Sequence, residues 1–437
     1  MRIYIILLLL TVILNADYSN KKSEGISANL KLIHVLDANK NGFDPQTGST
    51  VGLNLKYKTK NFYGLQANVG FHHLRDTSLT DSDKKIASGL FLTHDFSSKT
   101  VLDEANIVYN INDSIAIKIG RRHPPEARPA YISNPIAMFK ISQVENSYEA
   151  LSLRVKLSDK SLVALSQIDK MMPGSRSTAD YALIGEYTNS AGIAINPSQL
   201  KGEFVDIEQL AFKNGTDKNG NNVDTKGITM FSFVDRTFSD ATIQLWNYYA
   251  HDIVNYLNLQ VDRKIILYDI DSVVKLQYLK EDDIGDSLTG NVDASLYGIM
   301  GMFKISPLSF SVAFTKTEGE FFNPWGFDAG FTSSMFSRNE YRDDVNAYKI
   351  GVKYNLNKKF KISVSYANYG KSKSFGGNIE RSLYPSRDAM ELDTVISYKP
   401  TKNLLFKLLN VYRESEYVSS LSDRKQNQSR LIAEYNF

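Results

Sequence analysis

The segment Arg430-Leu431-Ile432-Ala433-Glu434-Tyr435-Asn436-Phe437 alternates with a period of two and ends the sequence on an aromatic residue. Leu431, Ala433, Tyr435 and Phe437 share one face, while Arg430, Glu434 and Asn436 share the other, where only Ile432 is apolar. Period-two patterning is the signature of a strand with two different faces. A soluble domain has little reason to finish flush on such a strand. A transmembrane β-barrel does, because its last strand must close the cylinder and its aromatic side chains settle at the membrane interface.

The remaining chain is consistent with that constraint. Met1-Arg2 followed by the apolar run Ile3 to Leu14 is too short to span a bilayer, so residues 1–16 are expected to be a secretory signal cut near Ala16. Residues 17–437 then form one domain, with no linker or compositional break. The first strand is expected near residue 27, which leaves no room for an N-terminal plug. No cysteine is present, which excludes a disulfide framework and thiolate metal sites and suits passage through an oxidising periplasm. A net charge of +3 is too small to argue for a nucleic-acid partner. Tyr (25) and Phe (23) far outnumber Trp (2), as strands with interfacial aromatic girdles require.

Alternating segments recur along the whole chain. Their connections fall into two kinds. Tight polar turns occur at Lys58–Asn61, Ile111–Asp113, Ser158–Lys160, Arg236–Ser239, Ser306-Pro307, Asn355–Lys358 and Pro400–Lys402, with a slightly longer one across Lys264–Asp271. The others are mostly long and rich in Gly, Asn, Asp, Ser and Pro. Short turns alternating with long loops is the layout of an outer-membrane barrel. The expected fold is therefore all-β: a transmembrane antiparallel β-barrel of eighteen strands with long extracellular loops. The strands fall near 27–36, 48–57, 62–73, 101–110, 114–122, 147–156, 161–168, 226–235, 240–250, 254–263, 272–280, 293–303, 308–316, 345–355, 359–370, 388–398, 403–413 and 428–437. Segments 85–94, 181–188 and 203–213 also alternate, so sixteen and twenty strands stay open as counts.

A Lys or Arg facing lipid at the bilayer midplane costs about 2–4 kcal/mol, so the apolar face of each clear strand belongs to lipid. That rule sends Lys118, Arg122, Arg154, Lys156, Lys349, Lys353 and Lys361 into the lumen, together with Lys31, Lys56 and Lys275. Fewer acids go inside: Glu104, Glu391, Asp393 and Glu434. Strands seven, eight, nine and seventeen have two mixed faces and take no assignment. A basic aqueous lumen concentrates anions. The loop from His123 to Asn146 carries Pro124-Pro125, Arg128-Pro129, Asn134-Pro135, Lys140 and Glu145, plus apolar residues with which to pack. It is expected to fold inward as a constriction, with Arg128, Lys140 and Glu145 as its charged members.

Several segments resemble the OprD family of outer-membrane porins, in a form seen among epsilonproteobacterial-type sequences. Lys118-Ile119-Gly120-Arg121-Arg122-His123-Pro124-Pro125 resembles the strand leading into that family's third loop. Phe322-Asn323-Pro324-Trp325, with Arg338-Asn339-Glu340-Tyr341-Arg342-Asp343-Asp344-Val345, resembles its seventh loop and the next strand, and Tyr366-Ala367-Asn368-Tyr369-Gly370-Lys371-Ser372 the end of the strand after that. The resemblance implies an eighteen-stranded barrel, an inward third loop and a ladder of basic residues guiding carboxylate-bearing solutes. Arg122, Arg154, Lys156, Lys349 and Lys353 match the ladder's character. Many are Lys where better-known members use Arg, and Lys lacks the bidentate geometry that sharpens carboxylate selection.

The function expected is passive diffusion of small hydrophilic solutes, anionic ones favoured, with no enzymatic activity and no cofactor. Expected partners are the solutes, outer-membrane lipid and lipopolysaccharide, and the outer-membrane assembly machinery; a homotrimer is an open assembly state. Other chemistry is poorly supported. Asp37 to Asp44 begins like a calcium loop but has Gly48 at its twelfth position. His72 and His73 point to opposite strand faces, which argues against a paired metal site. A barrel hydrolase would need a His–acid constellation from His34, His72, His123 or His251, and an adhesin would act through loops 169–225 and 317–344.

Overall fold

The computed structural model describes residues 24–39, 46–79, 90–93, 95–123, 142–175, 187–188, 194–195, 201–212, 215–217, 220–319, 321–322, 330–337, 339, 342–372, 388–416 and 424–437. The expected signal segment lies outside them. Eighteen long strands form one antiparallel sheet: β1 (Gly25–Asn39), β2 (Gln46–Lys58), β3 (Leu65–Asp76), β4 (Lys99–Asn110), β5 (Ile115–Arg122), β6 (Ser147–Lys156), β7 (Ser161–Met172), β8 (Ile228–Asp235), β9 (Ala241–Ala250), β10 (Val254–Leu267), β11 (Ile270–Asp283), β12 (Asp293–Ile305), β13 (Leu308–Glu318), β14 (Asn346–Asn355), β15 (Phe360–Tyr369), β16 (Asp388–Tyr398), β17 (Leu404–Glu416) and β18 (Arg424–Asn436). Each pairs with its sequence neighbour, and β18 returns to pair with β1, Leu30 opposite Tyr435 and Ile33 opposite Ile432. The sheet is thus a closed barrel without edges, which is what a bilayer demands of strands.

Alternation decides which way each side chain points. On β14, Tyr348, Ile350 and Val352 are exposed on the outer wall while Ala347 is buried within. Six residue-to-residue steps separate Tyr348 from Tyr354, roughly 20 Å of strand at ~3.3 Å each, comparable to the outer apolar band of such barrels. Rings gather at both edges of that band. Tyr278 lies 5.3 Å from Tyr297 and Phe314 5.1 Å from Tyr348 at the loop end, whereas Phe360, Tyr398 and Phe406 follow one another at 6.3 and 6.5 Å at the turn end.

The turn between β10 and β11 is tighter than the sequence indicates. Both strands run on to a two-residue connection, Tyr268-Asp269, with φ of 49° and 64°. Paired positive φ values give the hairpin geometry whose twist matches the flanking strands. At the other end the run of long loops is broken once, since only residues 251–253 join β9 to β10. Segment 203–213 forms neither a spanning strand nor a hairpin: Val205-Asp206 pairs briefly with β7, and a single helical turn follows at Ile207–Ala211. The described part of 181–188 adds only a two-residue pairing with 194–195, and the described part of 85–94, residues 90–93, adds no strand.

The interior holds the packing. One wall, from β6 to β12, is lined by Tyr148, Leu162, Ile168, Met230, Trp246, Tyr248, Tyr256 and Leu279, and it is covered by Ile207, Leu210, Phe212, Phe321 and Phe322 from two long loops. A smaller cluster joins Ile33, Val35, Leu409 and Ile432 to Leu90 and Phe91.

Candidate functional site

The basic residues assigned inward by strand parity lie on β1, β2, β5, β6, β11, β14 and β15. On β5, Lys118 is half-buried and Arg122 is 1% exposed, Arg122 donating to Ser152 Oγ and, at 3.4 Å, to the Lys118 carbonyl. Arg154 and Lys156 are exposed at the turn end of β6, where Lys156 pairs with Asp159 at 2.6 Å. An ion pair this exposed holds little energy. On β14, Lys349 donates to the Ser333 carbonyl at 2.5 Å and so holds a loop. Lys353 and Lys361 are exposed, and like Arg154 they have no partner among the described residues. Lys56 pairs with Glu104 at 2.9 Å and Lys275 with Asp262 at 2.8 Å, while Lys31 is buried against the Ser142 carbonyl at 2.9 Å. These cations therefore divide into those that fasten loops, those paired with acids on nearby strands or turns, and those with no partner among the described residues.

Acids inside do more fastening than the sequence implies. Glu391 and Asp393, adjacent on the inner face of β16, accept the backbone N–H groups of Phe336 at 2.8 Å and Met335 at 3.2 Å. Glu281 is fully buried and accepts the N–H of Phe322 at 2.6 Å, although its neighbours Asp282 and Asp283 belong to the rim. The loop between β13 and β14 is thereby seated on β11 and β16 at once. Glu434 takes the Asn29 amide at 2.8 Å across the closing seam.

Of the expected constriction loop, Arg128 and Lys140 lie outside the described residues, and Glu145 is half-buried. Residues 142–144 are buried in the lumen, where the Gln143 side chain donates to the carbonyls of Lys31 and Thr50, both at 3.1 Å. Gln143 Oε1 and His72 Nε2 converge over Gly52, where a Cβ would come within 2.6 Å and 3.0 Å of them. Glycine is the residue that leaves this contact open.

A β-bulge supplies the part of the site that sequence reasoning missed. The β3–β4 register slips between Gly70 and Phe71, so Asp103 has no opposite residue. Strict alternation would turn Asp103 toward lipid if Glu104 points inward; the bulge brings both inside, a common use of such irregularities. Asp103 is fully buried, 3.5 Å from His123 Nε2 and 3.8 Å from His72 Nδ1, and accepts the Asn54 amide at 3.2 Å. The detectable signal was an Asp at a lipid-facing position. The Ser147 hydroxyl donates to the Asp103 carbonyl, so it is not directed at either ring as a nucleophile would be. Among the described residues no metal-binding group occurs.

No family model matches this sequence, and no curated protein matches it. Solved structures do match. Acinetobacter baumannii OccAB4 aligns with TM-score 0.70 at 12% identity over 96% of this chain and 100% of its own. Pseudomonas aeruginosa OpdK, solved with vanillate, aligns with TM-score 0.69 at 11% identity over 94% and 98%. A BenF-like porin from Pseudomonas fluorescens Pf-5 aligns with TM-score 0.69 at 12% identity over 95% and 99%. The likeness is one of fold, and the structural neighbours are porins of the OprD/Occ type, channels rather than enzymes.

Proposed function

We propose that this chain is an outer-membrane diffusion channel for small hydrophilic solutes that favours anionic, carboxylate-bearing ones. What supports this reading is that Arg154 on β6 and Lys353 and Lys361 on β14 and β15, assigned inward by strand parity, are exposed with no partner among the described residues. β6 and β14 are eight strand positions apart in a ring of eighteen, so these charges flank the pathway from opposite sides. Unpaired positive charge in a low-dielectric tube raises local anion concentration without a tight site, which a conducting pore needs. That a neighbour of the same fold was solved with vanillate, an aromatic carboxylate, supports the solute class. Location in the outer membrane follows from the porin fold, with export through residues 1–16 and contact with lipopolysaccharide as parts of the same proposal.

Reversal potentials in planar bilayers across a salt gradient test it directly. Chloride preference is the expected result. A clear cation preference would overturn the anion assignment alone, and the absence of any channel would overturn the diffusion reading.

A further inference from the structure

The two ring nitrogens of His123 both face oxygen acceptors. Nδ1 lies 3.3 Å from the Asn146 carbonyl and Nε2 lies 3.5 Å from Asp103 Oδ2. A neutral imidazole has one N–H and can serve only one of them; the imidazolium serves both. His72 differs. The Asn54 amide donates to Asp103 at 3.2 Å and, through the same nitrogen, lies 3.2 Å from His72 Nδ1. The two histidines around one buried carboxylate thus have different partners, and only His123 places both ring nitrogens against oxygen acceptors.

We propose that His123 is a pH-responsive positive charge of the lumen, held by the bulged Asp103 on β4 and tying β4 to Asn146 beside β6, so that anion preference falls as this ring loses its proton. The groups facing it are Asp103 and Glu104 from β4, Lys56 from β2, His72 from β3 and Glu145 from its own loop. Burial disfavours the charged ring, but Asp103, helped by Glu145 and opposed by Lys56, lifts His123 above its ordinary 6.5. A raised value means the charge and both contacts are complete below pH 6.5 and are lost as pH climbs through a point above it. The inference rests on the diffusion-channel reading for its effect on ions, but not for the titration itself.

Two measurements separate those parts. In bilayers, the chloride-to-potassium permeability ratio of the full chain is expected to fall by about fourfold in a single step above pH 6.5, the scale of one unit charge acting at ~10 Å in water on two ions of opposite sign. His123→Gln should remove the step, His123→Lys should hold the high ratio to pH 9, and His73→Gln, on the outer wall, should leave it alone. A step that survives His123→Gln, or that His72→Gln abolishes, would overturn the assignment. Independently of conduction, ring-labelled histidine NMR of the folded barrel should show one histidine titrating above 6.5, absent in His123→Gln and shifted downward in Asp103→Asn. Titration of that resonance at or below 6.5, or indifference to Asp103→Asn, overturns the proposal whether or not channels form.

Discussion

The backbone N–H of Phe437 donates to the carbonyl of Ala28 at 2.9 Å, extending the β18–β1 ladder that closes the barrel. Its ring meets Tyr435 edge to face at 4.8 Å on the lipid side. The residue therefore contributes in two separable ways. Phe437→Ala keeps the N–H and loses the ring pair, about 0.5–1.5 kcal/mol beyond area burial. Deleting the residue also removes the N–H. The urea midpoint in detergent should fall in the order wild type, alanine variant, deletion; equal midpoints for the last two would show that the seam bond adds nothing.

Gly120 sits at φ +114°, where a Cβ would lie 2.3 Å from the Ala105 carbonyl on β4. Backbone, unlike a side-chain tip, cannot swing aside. Gly120→Ala should destabilise the barrel by at least the ~1–3 kcal/mol typical of a side chain forced into such a region. Heat-modifiability on gels would report it, and wild-type behaviour would contradict the contact.

Glu391 is fully buried, holds the Phe336 N–H at 2.8 Å and lies beside the buried Arg413. Replacing it with alanine strands a cation and a backbone donor together, on the order of 3–5 kcal/mol for the uncompensated charge. Amides of residues 333–337 should then exchange markedly faster while β14 and β15 keep their protection. Uniform exchange across the barrel would instead mean general loosening.

Lys201, in the long loop between β7 and β8, is 6% exposed, and burial pushes its pKa down to about 8. A lowered value on a cation is a cost in the packed state that is full below pH 8 and vanishes toward 10.5, on the order of 3 kcal/mol in all. Hydrogen exchange of residues 201–212 should slow as pH-corrected rates are followed from 8 to 10.5. Lys201→Met should be protected at every pH. A profile for Lys201→Met that still varies with pH would assign the effect elsewhere.

Lys353→Glu combined with Lys361→Glu replaces two exposed inward cations that fasten nothing among the described residues. Chloride preference should drop or invert with little change in stability. Unchanged reversal potentials would count against both as lumen charges that solutes meet.

Strands β5, β6, β14 and β15 were legible because lipid imposes one rule on every outward residue. Ile115, Ile117 and Ile119, or Leu151, Leu153 and Val155, face out, and parity assigns Lys118 and Arg154 to the opposite face. β7, β8 and β9 were not legible. Their inner faces carry Leu162, Met230 and Trp246 against Ile207, Leu210 and Phe212 from a loop, so both faces are apolar for unrelated reasons. β17 is ambiguous in the same way: Phe406 and Leu408 face outward, while Val411 and Leu409 lie buried within, Leu409 packed with Leu90 and Phe91.

The pattern from residue 25 to Phe437 specifies by itself a cylinder of strands and the side of the wall on which most charges stand, because period-two chemistry and the exclusion of charge from lipid act strand by strand. Which cations fasten loops and which pair with another strand is decided by partners far apart in sequence, as Lys349 with Ser333 and Lys31 with Ser142 show for loops and Lys56 with Glu104 for strands. The placement of Asp103 between two histidines depends on a slip of register against β3, a property of two paired strands that neither strand records alone.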